Sequence, residues 1–394
     1  MPMGSLAESL LLPELRLLEV KDPRHSGVIT FYVEKTSEME VCPRCATPGY
    51  TVYDRRWSRV RDSNIRARRV WLWILKRRFS CKRCKRPFTE PVPGISKGAR
   101  STQRFRRNIQ WACEHFGDLK SVMRQYRCSS GYVYKAHYEE LERKRRMRVH
   151  PWPEVVGIDE HFFRHTGDRS RDFVSVVVDY RNRAMFEVVE GRQTVQLKHA
   201  LSEIPGRDNV RTVVMDMYEP YRKFSREFFP QATIVADKFH VLRLLSPWIN
   251  KRRKEITGDK RTHPIRWMLL TNYHRLSRQQ RWALFRWLDD KPELREVYQF
   301  KESLHRLYRT RGYRRAGRAL TKLTDLASLS KLPEIRALRR TLMSWREPIL
   351  AYFKTGVTNG RTEGYNAKAK LVKKRAYGYR SFKNYRLRLL NACT

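Results

Sequence analysis

The spacing of apolar residues changes character three times along this chain. Val28 to Glu34 (VITFYVE) predicts a strand. From Val41 to about Pro93 the pattern stays strand-like, and Val70 to Leu75 (VWLWIL) can form hairpin strands. Gly94 to Gln103 has the composition of a linker. Phe105 to about Met147 has helical spacing, which Pro151 and Pro153 end. Beyond Val155 short apolar runs take over: Val155 to Ile158, Phe173 to Val178 and Ala184 to Val189. A helix is then expected over Thr194 to Ile204, a strand over Thr212 to Met215, a helix over Pro220 to Phe229 and a strand over Ala232 to Ala236. That order predicts a mixed sheet with helices packed on it. Val241 to Phe353 contains no convincing strand, and four or five helices are expected there. Ser277 reads as an N-cap, Pro292 and Pro333 as first-turn prolines, and Trp267, Trp282, Trp287 and Trp345 as the filling of an apolar face. Thr358 to Leu390 opens on Thr358-Asn359-Gly360 and then reads as helix.

Length and charge narrow the class. A chain of 394 residues suggests two to four units. Lys plus Arg total 84 and Asp plus Glu 40, so the net charge is +44. With 41% hydrophobic and 12% aromatic residues, the chain builds real cores and is not a basic disordered tail. Such a charge calls for a polyanion, and nucleic acid is the first candidate. No stretch approaches the roughly 20 uncharged apolar residues of a membrane span. Ser5 to Val20 is Leu-rich but carries Glu8, Glu14 and Glu19 with no basic leader, so it is not expected to be a secretory signal. Seven cysteines are no disulfide scaffold, and the expected setting is cytoplasmic and DNA-associated.

Four of the cysteines form two pairs, Cys42-Pro43-Arg44-Cys45 and Cys81-Lys82-Arg83-Cys84, with 35 residues between them. Each CxxC turn offers two thiolates on one bend, so two turns complete a tetrahedral Zn²⁺ site. One structural zinc ion is expected. Cys113, Cys128 and Cys393 read as packing residues. Between Asp54 and Arg107 there are 19 Lys or Arg against three acids, with Trp57, Trp71 and Trp73 interleaved. Arg55, Arg56, Arg77, Arg78, Lys82 and Arg83 are therefore candidate phosphate contacts. Downstream, Asp118 to Tyr126 predicts a short helix, Arg127-Cys128-Ser129 a turn, and Ser129 or Ser130 the cap of a second helix through Leu141. These are helix-turn-helix proportions, with Tyr132, Tyr134, Lys135 and His137 as candidate groove contacts.

In so basic a chain, acids at strand ends stand out. Asp159 follows one apolar run and Asp216 another, which puts both at the rim of the sheet. Glu363 is the only acid in the last 47 residues, with ten Lys or Arg between Arg361 and Arg388. On a helix it shares a face with Asn366 and Lys370. Three such carboxylates can hold two Mg²⁺ ions for in-line displacement at phosphorus, and Mn²⁺ can substitute.

At these residues the chain resembles DDE transposases of bacterial insertion sequences, in the ISL-three-type branch. The matching text is Gly157-Ile158-Asp159-Glu160, then Met215-Asp216-Met217-Tyr218-Glu219-Pro220-Tyr221, then Ala236-Asp237-Lys238-Phe239-His240-Val241. It ends with Thr358-Asn359-Gly360-Arg361-Thr362-Glu363-Gly364-Tyr365-Asn366, continuing into Lys373-Lys374-Arg375-Ala376-Tyr377-Gly378. Where the family usually shows Ser-Asn-Gly, this chain has Thr358-Asn359-Gly360.

The resemblance implies a multidomain α+β protein: an N-terminal segment (1–40), a zinc ribbon (41–95), a helix-turn-helix domain (101–148) and an RNase H-like core (153–242 and 352–394). An all-helical insertion (243–351) would interrupt that core. It implies Asp159, Asp216 and Glu363 as the catalytic triad, with Asp237 the rival to Asp216. Asp237 and His240 match a (C/D)xxH motif expected to position structure or DNA, and Asn366 is a further supporting residue. Lys370, Lys373, Lys374 and Arg375 are expected on DNA. The implied activity is cleavage at terminal inverted repeats and joining of 3′-ends to target DNA by a homodimer or larger synaptic oligomer. The rival expectations are a non-catalytic DNA-binding regulator and a structure-specific nuclease.

Overall fold

The computed structural model describes residues 10–23, 26–148, 150–166, 170–258 and 263–393. The reading of Ser5 to Val20 therefore falls partly outside the described residues. Two compact units divide the chain, 1–144 and 145–394.

In the first unit a long hairpin dominates. β5 (Val52–Ile65) and β6 (Arg68–Ser80) pair antiparallel. The turn between them is Arg66-Ala67, both residues with positive φ, as a tight hairpin turn requires. β1 (Leu15–Lys21) and β2 (Val28–Lys35) extend the same sheet, with β2 running parallel to β6. Residues 15–35, set apart in the sequence reading, thus share one sheet and one core with the hairpin. Val33, Val60, Val70, Leu72 and Ile74 fill that core. The short pair β3 (Glu40–Val41) and β4 (Pro48–Gly49) frames the first cysteine turn, and β7 (Pro87–Thr89) pairs with β6 beside the second.

Three helices follow. α1 (Gln103–His115) starts at Thr102, whose side chain accepts from the Phe105 amide. α2 (Leu119–Tyr126) is capped by Asp118 and ends at Arg127 in the left-handed conformation. α3 is Ser130–Arg146. Phe105, Ile109, Val122, Val133 and Ala136 form their common core.

The second unit is built on a five-stranded mixed sheet, in spatial order β10-β9-β8-β11-β12. β8 (Val155–Thr166), β9 (Ser170–Asp179) and β10 (Ala184–Glu190) are antiparallel neighbours; β11 (Thr212–Met215) and β12 (Thr233–Ala236) add on parallel to β8. The parallel additions need crossovers, supplied by α4 (Thr194–Leu201) and α5 (Glu219–Phe228). Trp152, Val177, Leu197, Val213, Tyr221 and Phe224 fill the space between sheet and helices.

After β12 come the short α6 (Lys238–Arg243) and then seven helices among the described residues, more than the four or five expected. They are α7 (Ser246–Thr257), α8 (Pro264–Leu270), α9 (Arg278–Leu288), α10 (Pro292–Leu307), α11 (Tyr313–Ser328), α12 (Pro333–Ser344) and α13 (Arg346–Thr355). Short helices with capped starts, such as α9 behind its Ser277–Gln280 capping box, blur into one continuous helical pattern in sequence. Leucines build the core here, among them Leu269, Leu284, Leu304, Leu320 and Leu342. Trp345 is buried and Trp287 packs partly against that core, but Trp267 and Trp282 are 53% and 65% exposed, contrary to expectation.

The single helix expected over 358–390 is two: α14 (Gly360–Arg375) and α15 (Phe382–Ala392). The Gly378 amide donates to the Lys373 carbonyl, and the Tyr377 amide to that of Lys374. Tyr377 and Gly378 take positive φ, so a Schellman stop ends α14. α15 then folds back, and Tyr385 and Leu389 pack with Phe163, Val174 and Val176 on the sheet.

Candidate functional site

Zinc first. Cys42 Sγ lies 3.7 Å from Cys84 Sγ, and Cys45 Sγ 3.5 Å from Cys81 Sγ. All four sulfurs fall within 4.8 Å of one another. Thiolates about 2.3 Å from a tetrahedral Zn²⁺ stand about 3.8 Å apart, so the donor set fits. The two turns are built alike. Ala46 and Lys85, each directly after the second cysteine, take positive φ, and their amides donate to the carbonyls of Cys42 and Cys81. Phe79 and Phe88 stack beneath the cluster.

The second site is a row of carboxylates across three adjacent strands: Asp216 and Asp237 directly follow β11 and β12, whereas Asp159 lies inside β8, which runs on to Thr166 instead of ending there as expected. Ile158 pairs with Met215, and Met215 with Ala236. The next residues, Asp159, Asp216 and Asp237, therefore stand side by side, at neighbouring-strand spacing of about 4.8 Å. Their environments differ. Asp237 is fully buried and spends its oxygens on backbone: it accepts from the amides of Phe239 (3.1 Å), His240 (3.3 Å) and Asn359 (3.0 Å). It caps α6 and ties the start of α14 to the sheet. Asp216 receives His240 Nδ1 at 2.9 Å, which also reaches Asp237 at 3.1 Å. Asp216 and Asp237 together hold the His240 ring protonated, raising its pKa to about 10.

Asp159 is almost buried, and burial, with the Asp216 charge second, pushes its pKa up to about 8. Its Oδ1 accepts from the Glu160 amide (2.7 Å) and its Oδ2 from Asn366 Nδ2 (2.8 Å). Behind Asn366 lie two residues that sequence reasoning missed. Asn366 Oδ1 faces His161 Nδ1 at 3.1 Å, and His161 Nε2 meets the Tyr385 hydroxyl. An amide oxygen only accepts, so Nδ1 carries the ring proton and Tyr385 donates to Nε2. Burial keeps this imidazole neutral, lowering its pKa to about 4. A fixed chain of donors thus runs from Tyr385 on α15 to the Asp159 carboxylate. Only the i, i+2 spacing of Asp159 and His161 hinted at it, and that spacing puts His161 on the same face of β8.

α14 approaches the sheet over Gly157. A Cβ there would lie 2.6 Å from both Thr362 Oγ1 and the Tyr180 ring, and 3.1 Å from Asn359 Oδ1. Tyr180 also donates to the Thr358 carbonyl at 2.8 Å. Asn366 points at Asp159, while Glu363, one turn earlier, is exposed in the first turn of α14. The structure therefore brings together Asp159, Asp216, Asp237, His240 and Asn366, with Glu363 exposed on the helix that carries Asn366.

The expected DNA contacts divide. Arg55, Arg56, Lys82, Arg83, Tyr134, Lys135, Lys370, Lys374 and Arg375 are exposed. Arg77 instead forms a half-buried pair with Glu90 (2.7 Å), and Arg78 a pair with Asp54 (2.7 Å). Tyr132 bonds Ser101 and stacks on Phe105, His137 is buried, and Lys373 donates to the Phe162 carbonyl. These five are turned to partners within the fold: a core for Tyr132 and His137, a carboxylate for Arg77 and Arg78, and a backbone carbonyl for Lys373.

A family model described as "Transposase", of the ISL3 type, matches residues 156–389, and one described as "zinc-finger of transposase IS204/IS1001/IS1096/IS1165" matches 38–84. The chain is 26% identical over 387 residues to the "Transposase for insertion sequence element IS1001" of Bordetella parapertussis, covering 94% of this chain and 93% of that protein. No helix among the described residues is long and apolar enough to cross a membrane. With a four-cysteine zinc site preceding a carboxylate-edged mixed sheet, the chain belongs to the ISL3-type family of DDE transposases, proteins that bind, cut and join DNA.

Proposed function

We propose that this protein binds the terminal inverted repeats of an insertion sequence, cleaves there and joins the 3′-ends to target DNA. Asp159, Asp216 and Glu363 are the catalytic triad, carried by an RNase H-like core (153–242 and 352–394) with a helical insertion (243–351). The observation that carries this is the Asp159–Asp216 pair: two adjacent carboxylates, one almost buried, with no Arg or Lys bonded to either among the described residues. Such a pair fits hard divalent cations. Mg²⁺ or Mn²⁺ held there would activate the attacking hydroxyl and stabilise the leaving oxygen at phosphorus.

The protein's own groups orient that pair. Asn366, His161 and Tyr385 fix the Asp159 carboxylate, while His240 bridges Asp216 to Asp237. Asp237 supports the fold at this point rather than the chemistry, because backbone amides use its oxygens. Glu363 joins when α14 and bound DNA bring its exposed side chain to the pair. α2 and α3 (helices within 101–148) form a helix-turn-helix beside the ribbon, with Tyr134 and Lys135 toward DNA. Pairing two transposon ends calls for a homodimer or larger assembly in the bacterial cytoplasm.

The test is cleavage of end-bearing DNA with Mg²⁺. Asp216→Asn should abolish cleavage and leave the melting temperature within a few degrees. Asp237→Ala should lower stability by about 1–2 kcal/mol through the lost cap, and activity only in proportion. The reverse pattern would make Asp237 the triad member; DNA binding without cleavage in the wild type would favour a regulator. For the donor chain, Tyr385→Phe should slow cleavage about tenfold and raise the Mg²⁺ concentration for half-maximal rate. An unchanged Mg²⁺ dependence would make Tyr385 a packing residue only.

A further inference from the structure

Between β12 and α14 most cations with a nearby acid are paired. Arg252 bridges Glu293 and Glu334, Lys301 meets Glu302, and Arg295 meets Asp289. One helix departs from this. From Ser303 to Thr324 the sequence has seven Lys or Arg and no acid. α11 sets Arg314, Arg318 and Lys322 at four-residue intervals, a single stripe along the helix, with Arg315 beside it. All four are exposed, and among the described residues none has a carboxylate within ion-pair distance. Like charges at this spacing repel one another and weaken a helix, and among the described residues no ion pair offsets that cost. The opposite face of α11 is locked by Ala316, Leu320, Leu323 and Ala327, so the stripe cannot turn inward.

The stripe also lines a cleft. Arg314, Arg318 and Lys322 stand with Arg346 and Leu350 around an open space of about 1080 Å³. Arg346 is oriented by a 2.9 Å bond to Thr321 Oγ1. Two acids border the cleft, Asp325 and Glu347, and Glu347 already accepts from the Tyr313 hydroxyl at 3.2 Å. Unpaired cationic side chains projecting from a fixed helix face along a groove match the phosphates of a nucleic-acid backbone.

We propose that the α11 cleft is a DNA-contacting site additional to the N-terminal unit, gripping duplex phosphates without regard to sequence. The proposal rests on the family's handling of DNA and not on the catalytic triad, so a failed triad leaves it standing. The experiment is anisotropy titration of the full chain with a 30-base-pair duplex of random sequence across a salt series. Arg314→Gln, Arg318→Gln and Lys322→Gln combined should reduce the slope of log affinity against log salt by about 2 to 3, since each phosphate contact contributes about 0.9. Binding at fixed low salt should fall at least tenfold. A control with the same loss of charge, Lys198→Gln, Lys251→Gln and Arg295→Gln, should leave the slope within about half a unit. Arg314→Lys with Arg318→Lys should retain it. Circular dichroism checks the helices, and Lys322→Gln alone, expected to remove about one unit, serves if the triple variant misfolds. An unchanged slope, or an equal fall in the control, overturns the proposal.

Discussion

Asparagine at position 159 should leave a chain that still binds DNA but cleaves it at least about 10³-fold more slowly, a loss of roughly 4 kcal/mol of transition-state stabilisation. The same variant should be more stable than the wild type at pH 8 in a chelating buffer. Both follow from the surroundings of Asp159. Burial, then the Asp216 charge, raises its pKa to about 8, against about 3.9 for an unfolded aspartate. The folded state then holds this proton more tightly than the unfolded state. Stability falls as pH rises from about 4 through about 8. His240 adds to the trend at higher pH: its contribution, complete below about 6.5, is lost as pH climbs toward about 10. Asparagine has the same shape and carries no charge, so it removes the Asp159 part of this slope, although its single oxygen can accept from the Glu160 amide or from Asn366 but not from both. The gain should be on the order of 1–3 kcal/mol, since one pKa unit is worth about 1.4 kcal/mol and Asp216 shares the repulsion. Mg²⁺ should raise the wild-type melting temperature and leave that of the variant unmoved. Melting curves at pH 5 and pH 8, with and without Mg²⁺, check this beside a cleavage assay. Full cleavage by the variant, or a lower melting temperature at pH 8, would sink the assignment.

Removing zinc should have the second large effect. The first cysteine loop is framed by two-residue strands and the second by the end of β6 and the three-residue β7, with Phe79 and Phe88 beneath, too little apolar surface to order these loops alone. A structural zinc site contributes roughly 10–16 kcal/mol of apparent binding energy, so the ribbon's folding is in effect zinc binding. Chelation, or Cys81→Ser, should release one zinc ion per chain and weaken DNA binding by about 10²-fold or more. The helical circular dichroism signal should persist, because the helices rest on cores of their own. Zinc release measured with a chromogenic chelator, alongside anisotropy, checks it. Retention of full DNA affinity by the zinc-free chain would refute the structural role.

Much of this was readable from local pattern. The CxxC pairs name their own ligands, because tight turns and soft thiolates are properties of four adjacent residues. The succession of strands and helices in the second unit followed from apolar runs separated by helical spacing; Asp159 and Asp216 stood out as acids after such runs, and Asp237 through the family resemblance. Local pattern could not rank those three. Only pairing across β8, β11 and β12 sets them in one row. Only the amides of α6 and α14 distinguish Asp237, whose two oxygens both accept from backbone, from Asp159 and Asp216, which the side chains of Asn366 and His240 reach.

The same limit appears among the cations. Arg55 and Arg77 are alike in sequence, yet one is exposed and the other is matched to Glu90, since charge composition is blind to which partner the fold supplies. By itself, then, the sequence pointed to the four clustered cysteines, the alternation of elements and the acids proposed to carry chemistry, all of which depend on residues near one another in the chain. The tertiary structure alone decided the Tyr385–His161–Asn366–Asp159 connection, the close approach over Gly157 and the unpaired stripe of α11. His161 and Tyr385 are 224 residues apart in sequence. A contact at that separation has no period or spacing to betray it, and it exists because α15 folds back to bury its apolar face on the sheet.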